Sequence, residues 1–301
     1  MTTRDDRNTY TSERALLERR APDGGFYIPY RIPELSREEL SSLRRMAPNE
    51  RVRFVAGRFL RLPDRLFDPD ITFVRSSPLG NRITVCDLFP GDKASFHECI
   101  SYMAGCLGLP DRADPVWLAV AIRTGAMVSA IVELMHANER FDISVVSGDM
   151  YAPLSAYLCR RMGLPVGDIL CCCNENSGFW ELLDHGTFRT DRIAVRSDIP
   201  EADITIPDGL ECLIALCCGR EEAVRYIEAV RTGSPYVPGE EEYQRLSSAF
   251  RSVVVTGDGI LRGAYASRGV PIGKGTALAL AGLLDYRARN RAGRNALVIA
   301  E

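Results

Sequence analysis

Short apolar, β-rich runs alternate with helix-like stretches along most of this chain. Arg82 to Leu88, Ile143 to Ser147, Ile169 to Cys173, Val253 to Val255 and Leu297 to Ile299 read as strands. Between them lie stretches of helical character: Ala94 to Leu107, Val116 to Leu134, Ala152 to Met162, Leu210 to Cys218, Glu221 to Arg231 and Thr276 to Arg289. Gly108-Leu109-Pro110 and Gly163-Leu164-Pro165 are helix stops, because glycine frees the backbone and proline cannot continue a helix. Strands separated by helices imply an α/β fold with a mostly parallel sheet flanked by helices. Residues 1–65 read differently, as a helical N-terminal region ahead of an α/β core over 66–301. Glu13 to Arg20 is helical and stops at Ala21-Pro22-Asp23-Gly24-Gly25, Phe26 to Pro29 is extended, and Ser36 with Glu39 forms a capping box.

At 301 residues the chain can bury a large core. The net charge of −3 gives no basic excess to attract nucleic acid or an anionic membrane. Arg, Glu or Gly interrupts the long apolar runs before a bilayer span, and the polar start Met1-Thr2-Thr3-Arg4-Asp5-Asp6-Arg7 has no signal-like core. A cytoplasmic protein is expected. The ten cysteines include no Cys-x-x-Cys pair, so reduced, buried thiols are expected rather than disulfides or a metal site. Lys93 and Lys274 are the only lysines, which limits any imine chemistry to two amines.

Leu88-Phe89-Pro90-Gly91-Asp92-Lys93-Ala94-Ser95-Phe96-His97-Glu98 resembles the Leu-Phe-His-Gly-Pro-Thr-Leu-Ala-Phe-Lys-Asp segment of threonine synthases. Further segments are similar to that family in the family's order. They include Ala21-Pro22-Asp23-Gly24-Gly25-Phe26-Tyr27-Ile28-Pro29, then Val145 to Tyr151, then Met162-Gly163-Leu164-Pro165 with Asn174-Glu175-Asn176, then Asp203 to Glu211, and last Gly275-Thr276-Ala277-Leu278. The resemblance implies a type II pyridoxal-phosphate fold, of the tryptophan synthase β kind, and ancestry in amino-acid metabolism. It implies pyridoxal phosphate as the ancestral cofactor and places His97 where the family has its Schiff-base lysine. Imidazole cannot form the imine that holds this cofactor, so the chain is expected to lack threonine synthase activity. Aligning Arg123 to Glu133 with the helix before the family's phosphate loop implies that the mobile substrate subdomain is deleted between about Gly108 and Val116.

The candidate catalytic residues are His97, Lys93 and Glu98. His97 and Glu98 form either an acid–base pair or a solvent-facing helix start, and the second reading is preferred. Lys93 either holds the cofactor in a divergent lyase acting on O-phosphohomoserine or a similar amino acid, or is a solvated charge. Ser147, Gly148 and Asp149 stand at the phosphate-loop position, where backbone N–H groups at a helix start favour an anion. Asp149 opposes phosphate and is expected to be the N-cap of the next helix. Asn174 and Asn176 follow a buried strand at the end where α/β folds bind ligands, or simply form a turn. No metal ligand set is present. A small anionic metabolite, or a protein partner or second copy over the exposed cleft, is the expected ligand.

Overall fold

The computed structural model describes residues 1–67, 71–88, 90, 96–110, 113–135, 139–256, 258–290 and 293–300. The N-terminal part carries α1 (Ser12–Leu17), α2 (Arg37–Leu43) and α3 (Pro48–Ala56). A hairpin of β1 (Val74–Gly80) and β2 (Ile83–Leu88) leads to α4 (Phe96–Cys106) and α5 (Val116–Leu134). Next come β3 (Phe141–Val146), α6 (Tyr151–Arg161), β4 (Val166–Cys173), α7 (Gly178–His185), α8 (Asp208–Cys217), α9 (Arg220–Thr232) and α10 (Glu240–Ala249). The chain closes through β5 (Arg251–Val254), α11 (Gly259–Ala266), α12 (Lys274–Asn290) and β6 (Asn295–Ala300).

Among the described residues six strands form one sheet in the order β1-β2-β6-β3-β4-β5. Every pairing is parallel except the β1–β2 hairpin. Ile143 pairs with Leu297 and Ile169, and Cys172 pairs with Val146 and Val253. These central strands are buried on both faces, which is why they read as unbroken apolar runs. The α/β expectation holds. The sequence reading missed β1, whose Pro78 weakens a strand signature and is tolerated at the sheet edge. It also missed α3, α7, α10 and α11, which are short.

The capping box of α2 forms as expected: Ser36 Oγ accepts from Glu39 N–H at 3.1 Å, and Glu39 accepts from Ser36 N–H at 2.8 Å. Val116–Leu134 is one helix, and it corrects an expectation. It is long and apolar enough to cross a bilayer by length and composition, and 83% of its most apolar window is buried inside the protein. It works as the central core helix. Thr124 and Gly125, which look loop-like in sequence, sit in its middle. A Cβ on Gly125 would meet Val52 O at 2.9 Å, so the glycine lets α3 pack directly on α5.

The N-terminal segment is tied down by one buried carboxylate. Glu211 on α8 accepts from Thr3 Oγ1 at 2.5 Å, from Arg4 Nε at 3.3 Å and from Arg20 Nη1 at 3.2 Å. Charge-assisted bonds like these are stronger than neutral ones, and they keep Glu211 from being a bare buried charge.

Candidate functional site

A cavity of about 1030 Å³ opens at the C-terminal ends of β3 and β6, where Val145, Val146 and Ile299 form its floor. Parallel α/β sheets place ligand sites at this end, because the loops after each strand converge there. One wall is α4, with Phe96, His97, Ile100 and Ala104; another is α5, with Val116, Ala119 and Arg123. The loop after β3 contributes Gly148 and Asp149, and α6 contributes Tyr151 and Ala152. Glu201, Ile204 and Asp208 close the side opposite, beside Gly275 and Thr276 at the start of α12.

His97 is the second residue of α4, exposed, with its side chain at the cavity wall. Glu98 follows it on the same first turn and is also exposed. Lys93 and His136 lie outside the described residues. The other lysine, Lys274, starts α12 and turns toward solvent, with Nζ 3.9 Å from Asp198 and the side chain 62% exposed. Among the described residues no lysine lines the cavity.

The loop at 147–151 departs from the expected cap. Met150 takes the N-cap position of α6 in the left-handed region, with φ of 69°. Asp149 lies one residue further out, and its Oδ1 accepts from Tyr151 N–H at 2.9 Å. A carboxylate of the chain itself therefore holds an N–H at the start of this helix. Ser147 is buried, and its hydroxyl donates to Cys172 O at 3.3 Å, away from the cavity lining. Gly148 is pressed against the segment around Glu201: a Cβ there would lie 1.9 Å from Glu201 O. Gly209 N–H donates to Asp149 O at 2.9 Å. The stretch from Ile199 to Gly209 thus lies across the loop.

Asn174 and Asn176 do not line the cavity. Both donate to Asp203 Oδ1, at 2.7 and 2.8 Å, and Asn176 exchanges two hydrogen bonds with the backbone of Val195. Ser197 adds bonds from its N–H and its hydroxyl to Asp203. What little burial Asp203 has works against ionisation, but the donors from Ser197, Asn174 and Asn176 outweigh it and hold its pKa below the usual carboxylate value. The polar cluster after β4 fastens a strap and leaves no free amide for a ligand.

Three further side chains shape the cavity, and of these the sequence reading missed Arg19. Arg19 donates to both Asp114 and Asp208 and so joins the N-terminal segment, the α4–α5 connection and the start of α8. Arg123 is buried, with its guanidinium 4.2 Å from the centre of the Phe96 ring. Tyr151 is buried, its hydroxyl makes no well-formed hydrogen bond, and burial followed by the nearby Cys212 and Asp208 pushes its pKa up. No local motif marks Arg19, and the three meet only through packing of the segment after α1 with α5, α6 and α8. Among the described residues no three His, Cys, Asp or Glu side chains gather as a metal set.

This architecture, a mostly parallel sheet with the cavity at its C-terminal edge behind an N-terminal helical segment, is that of the type II pyridoxal-phosphate enzymes. Within that class the match is to threonine synthases. Residues 1–71 match the family model described as threonine synthase N terminus. The pyridoxal-phosphate-bound threonine synthase from Brucella melitensis superposes with a TM-score of 0.85 at 15% identity, over 99% of this chain and 87% of that one. The yeast enzyme gives 0.85 at 15% identity, over 100% of this chain and 86% of that one. The Escherichia coli enzyme gives 0.69 at 14% identity, over 97% and 85%. No curated protein matches by sequence. The chain therefore has a threonine synthase N-terminal region and the threonine synthase fold.

Pyridoxal phosphate does not fit the described residues of the cavity. The cofactor needs an amine to hold its aldehyde and N–H groups free to take its phosphate. The described wall offers an imidazole at 97, Asp149 already occupies the Tyr151 N–H, and the carboxylates of Asp149 and Glu201 line the cavity beside Gly148.

Proposed function

We propose that this chain is a threonine synthase homologue without threonine synthase activity, and that its cavity holds a small anionic metabolite in the cytoplasm. The observation that carries this reading is His97 at the cavity wall, in the place where the resemblance puts the Schiff-base lysine, with no described lysine to replace it. Two things support it further. Asp149 and Glu201 set negative charge where a cofactor phosphate would need positive or neutral surroundings. The connection between α4 and α5 is limited to residues 107–115, which leaves little chain for a water-excluding lid. Arg123, planar and held against Phe96, lines the cavity and would suit a carboxylate better than a flexible lysine would.

The test is an absorbance spectrum of purified protein with pyridoxal phosphate, then borohydride reduction and peptide mapping. The expected result is no cofactor band and no modified lysine. A specific adduct on Lys93 or Lys274 would overturn the proposal in favour of a divergent lyase. Turnover of O-phosphohomoserine by protein free of host enzyme would overturn it as well.

A further inference from the structure

The helix α12 meets the cavity with its N-terminus, where Gly275 and Thr276 line the wall. Gly275 packs closely on the end of β3: a Cβ there would lie 3.4 Å from Val146 Cγ2. The first bond of the helix runs from the N–H of Ala277 to the C=O of Gly273 at 2.9 Å. The N–H groups of Lys274, Gly275 and Thr276 precede it and have no hydrogen-bond partner among the described residues. At the head of a helix of 17 residues such a turn carries open donors and partial positive charge. A second observation concerns a side chain. Thr276 is only 4% exposed and lines the cavity, and its hydroxyl has no hydrogen-bond partner among the described residues. Buried hydroxyls are normally bonded, so this one points to a group that enters from the cavity. The third observation is Glu201. Its exposed carboxylate makes no hydrogen bond or ion pair among the described residues, yet Oε1 stands 2.8 Å from where a Cβ on Gly275 would be. A carboxylate of the chain itself therefore hangs beside the open donors without bonding to them.

We propose that the first turn of α12 is a carboxylate subsite of the cavity. The N–H groups of Gly275 and Thr276 and the Thr276 hydroxyl hold a ligand carboxylate there, and Glu201 is a built-in competitor for the place. The inference rests on the proposed function, in which the cavity takes a small anion, and adds an anchor separate from Arg123. The loop at 147–151, where the resemblance puts the cofactor phosphate, is closed by Glu201 O over Gly148 and by Asp149 on the Tyr151 N–H. The head of α12 offers the open N–H groups which that loop lacks. Charge selects the class of ligand. Asp149 and Glu201 line the same cavity, and each further negative charge on a ligand meets both. A singly charged carboxylate, whose two oxygens can accept from N–H and hydroxyl together, is favoured over a phosphate dianion. The backbone of Glu201 is held over Gly148, but its exposed side chain can swing outward without moving the strap.

Amide-detected NMR of the full chain, titrated with propionate and with inorganic phosphate, tests this. Propionate should move the amide signals of Gly275 and Thr276 saturably, and phosphate should act more weakly. Thr276→Val removes the hydroxyl and should weaken the propionate response about tenfold, because a hydrogen bond to a charged group is lost. Thr276→Ser keeps the hydroxyl and should keep the affinity. Glu201→Gln removes the competing charge and should tighten propionate binding roughly threefold. The valine and glutamine variants act in opposite directions, and general damage to the fold cannot produce both. Propionate that leaves the amides of 275 and 276 unmoved overturns the subsite; if signals around Arg123 respond instead, the proposed function still stands. An affinity indifferent to Thr276→Val, an affinity weakened by Glu201→Gln, or phosphate bound more tightly than propionate overturns it too. Failure of the proposed function would show separately, as the lysine adduct described above.

Discussion

The main-chain oxygen of Glu201 stands 1.9 Å from where a Cβ on Gly148 would be. The two residues lie on different loops, and their contact closes one side of the cavity. A side chain at 148 has no room unless the strap moves. Gly148→Ala should therefore cost about 1–3 kcal/mol, the range for overpacking a filled site. Thermal denaturation would read this as a lower midpoint with an unchanged native spectrum. An unaltered midpoint would show that the strap is not seated there.

On the proposed function, cofactor binding should not be gained by one substitution. His97→Lys supplies an amine, but Asp149 and Glu201 still line the cavity beside Gly148. The variant mixed with pyridoxal phosphate and reduced with borohydride should show no specific adduct at 97. A stoichiometric adduct would mean that the carboxylates are no obstacle.

At the other end of the strands, Asp142 is fully buried, with Oδ1 2.9 Å from Arg294 Nη1 and 2.9 Å from the N–H of Asp168. Burial raises its pKa, and those two partners offset only part of the effect. Arg294→Ala leaves this carboxylate in the core without its cation and should destabilise by about 3 kcal/mol. Adding Asp142→Asn to that variant should recover part of the loss. Urea denaturation of the two variants measures both steps.

Asp142 and Asp203 should pull acid stability in opposite directions. The pKa of Asp203 is lowered on folding, so its contribution is present above the unfolded value of about 3.9 and is lost as pH falls through the folded value. The pKa of Asp142 is raised, so its contribution is fully present below the unfolded value and is lost as pH rises through the folded value. Between pH 3 and 6, roughly the span around that unfolded value, Asp203→Asn should flatten the acid loss of stability and Asp142→Asn should steepen it. Unfolding midpoints measured across that window decide the signs.

The thiols should divide sharply in reactivity. Burial pushes Cys171 and Cys212 well up and Cys172 and Cys173 to about 12, so these should stay unlabelled in native protein. Cys217 is only partly buried and lowered, chiefly through Cys218, with Tyr157, Arg160 and Arg161 assisting against burial. It should alkylate before Cys99, which burial raises. Peptide mapping after brief iodoacetamide treatment gives the order.

Sequence pattern carried the scaffold well, because local rules act over a few residues. Val116–Leu134 was legible from end to end, since an apolar stretch bounded by Pro115 and a polar stretch has little other choice. The α2 capping box was legible because its partners are three residues apart. Asp149 was misplaced as the N-cap by one residue: Met150 in a left-handed conformation carries no propensity signal, and only the packed loop fixes it. Asn174 and Asn176 looked free to bind a ligand because Asp203, which consumes them, lies 27 to 29 residues later.

By itself the sequence determined the α/β class and the mostly parallel sheet. These follow from hydrophobic spacing, which needs no partner. Tertiary structure alone decided which charges meet at the cavity. Arg19, Asp114 and Asp208 come from three distant segments, and Glu201 reaches Gly148 only because the strap folds back over the loop. Contacts across such separations depend on how helices pack on the sheet, and no local pattern encodes them.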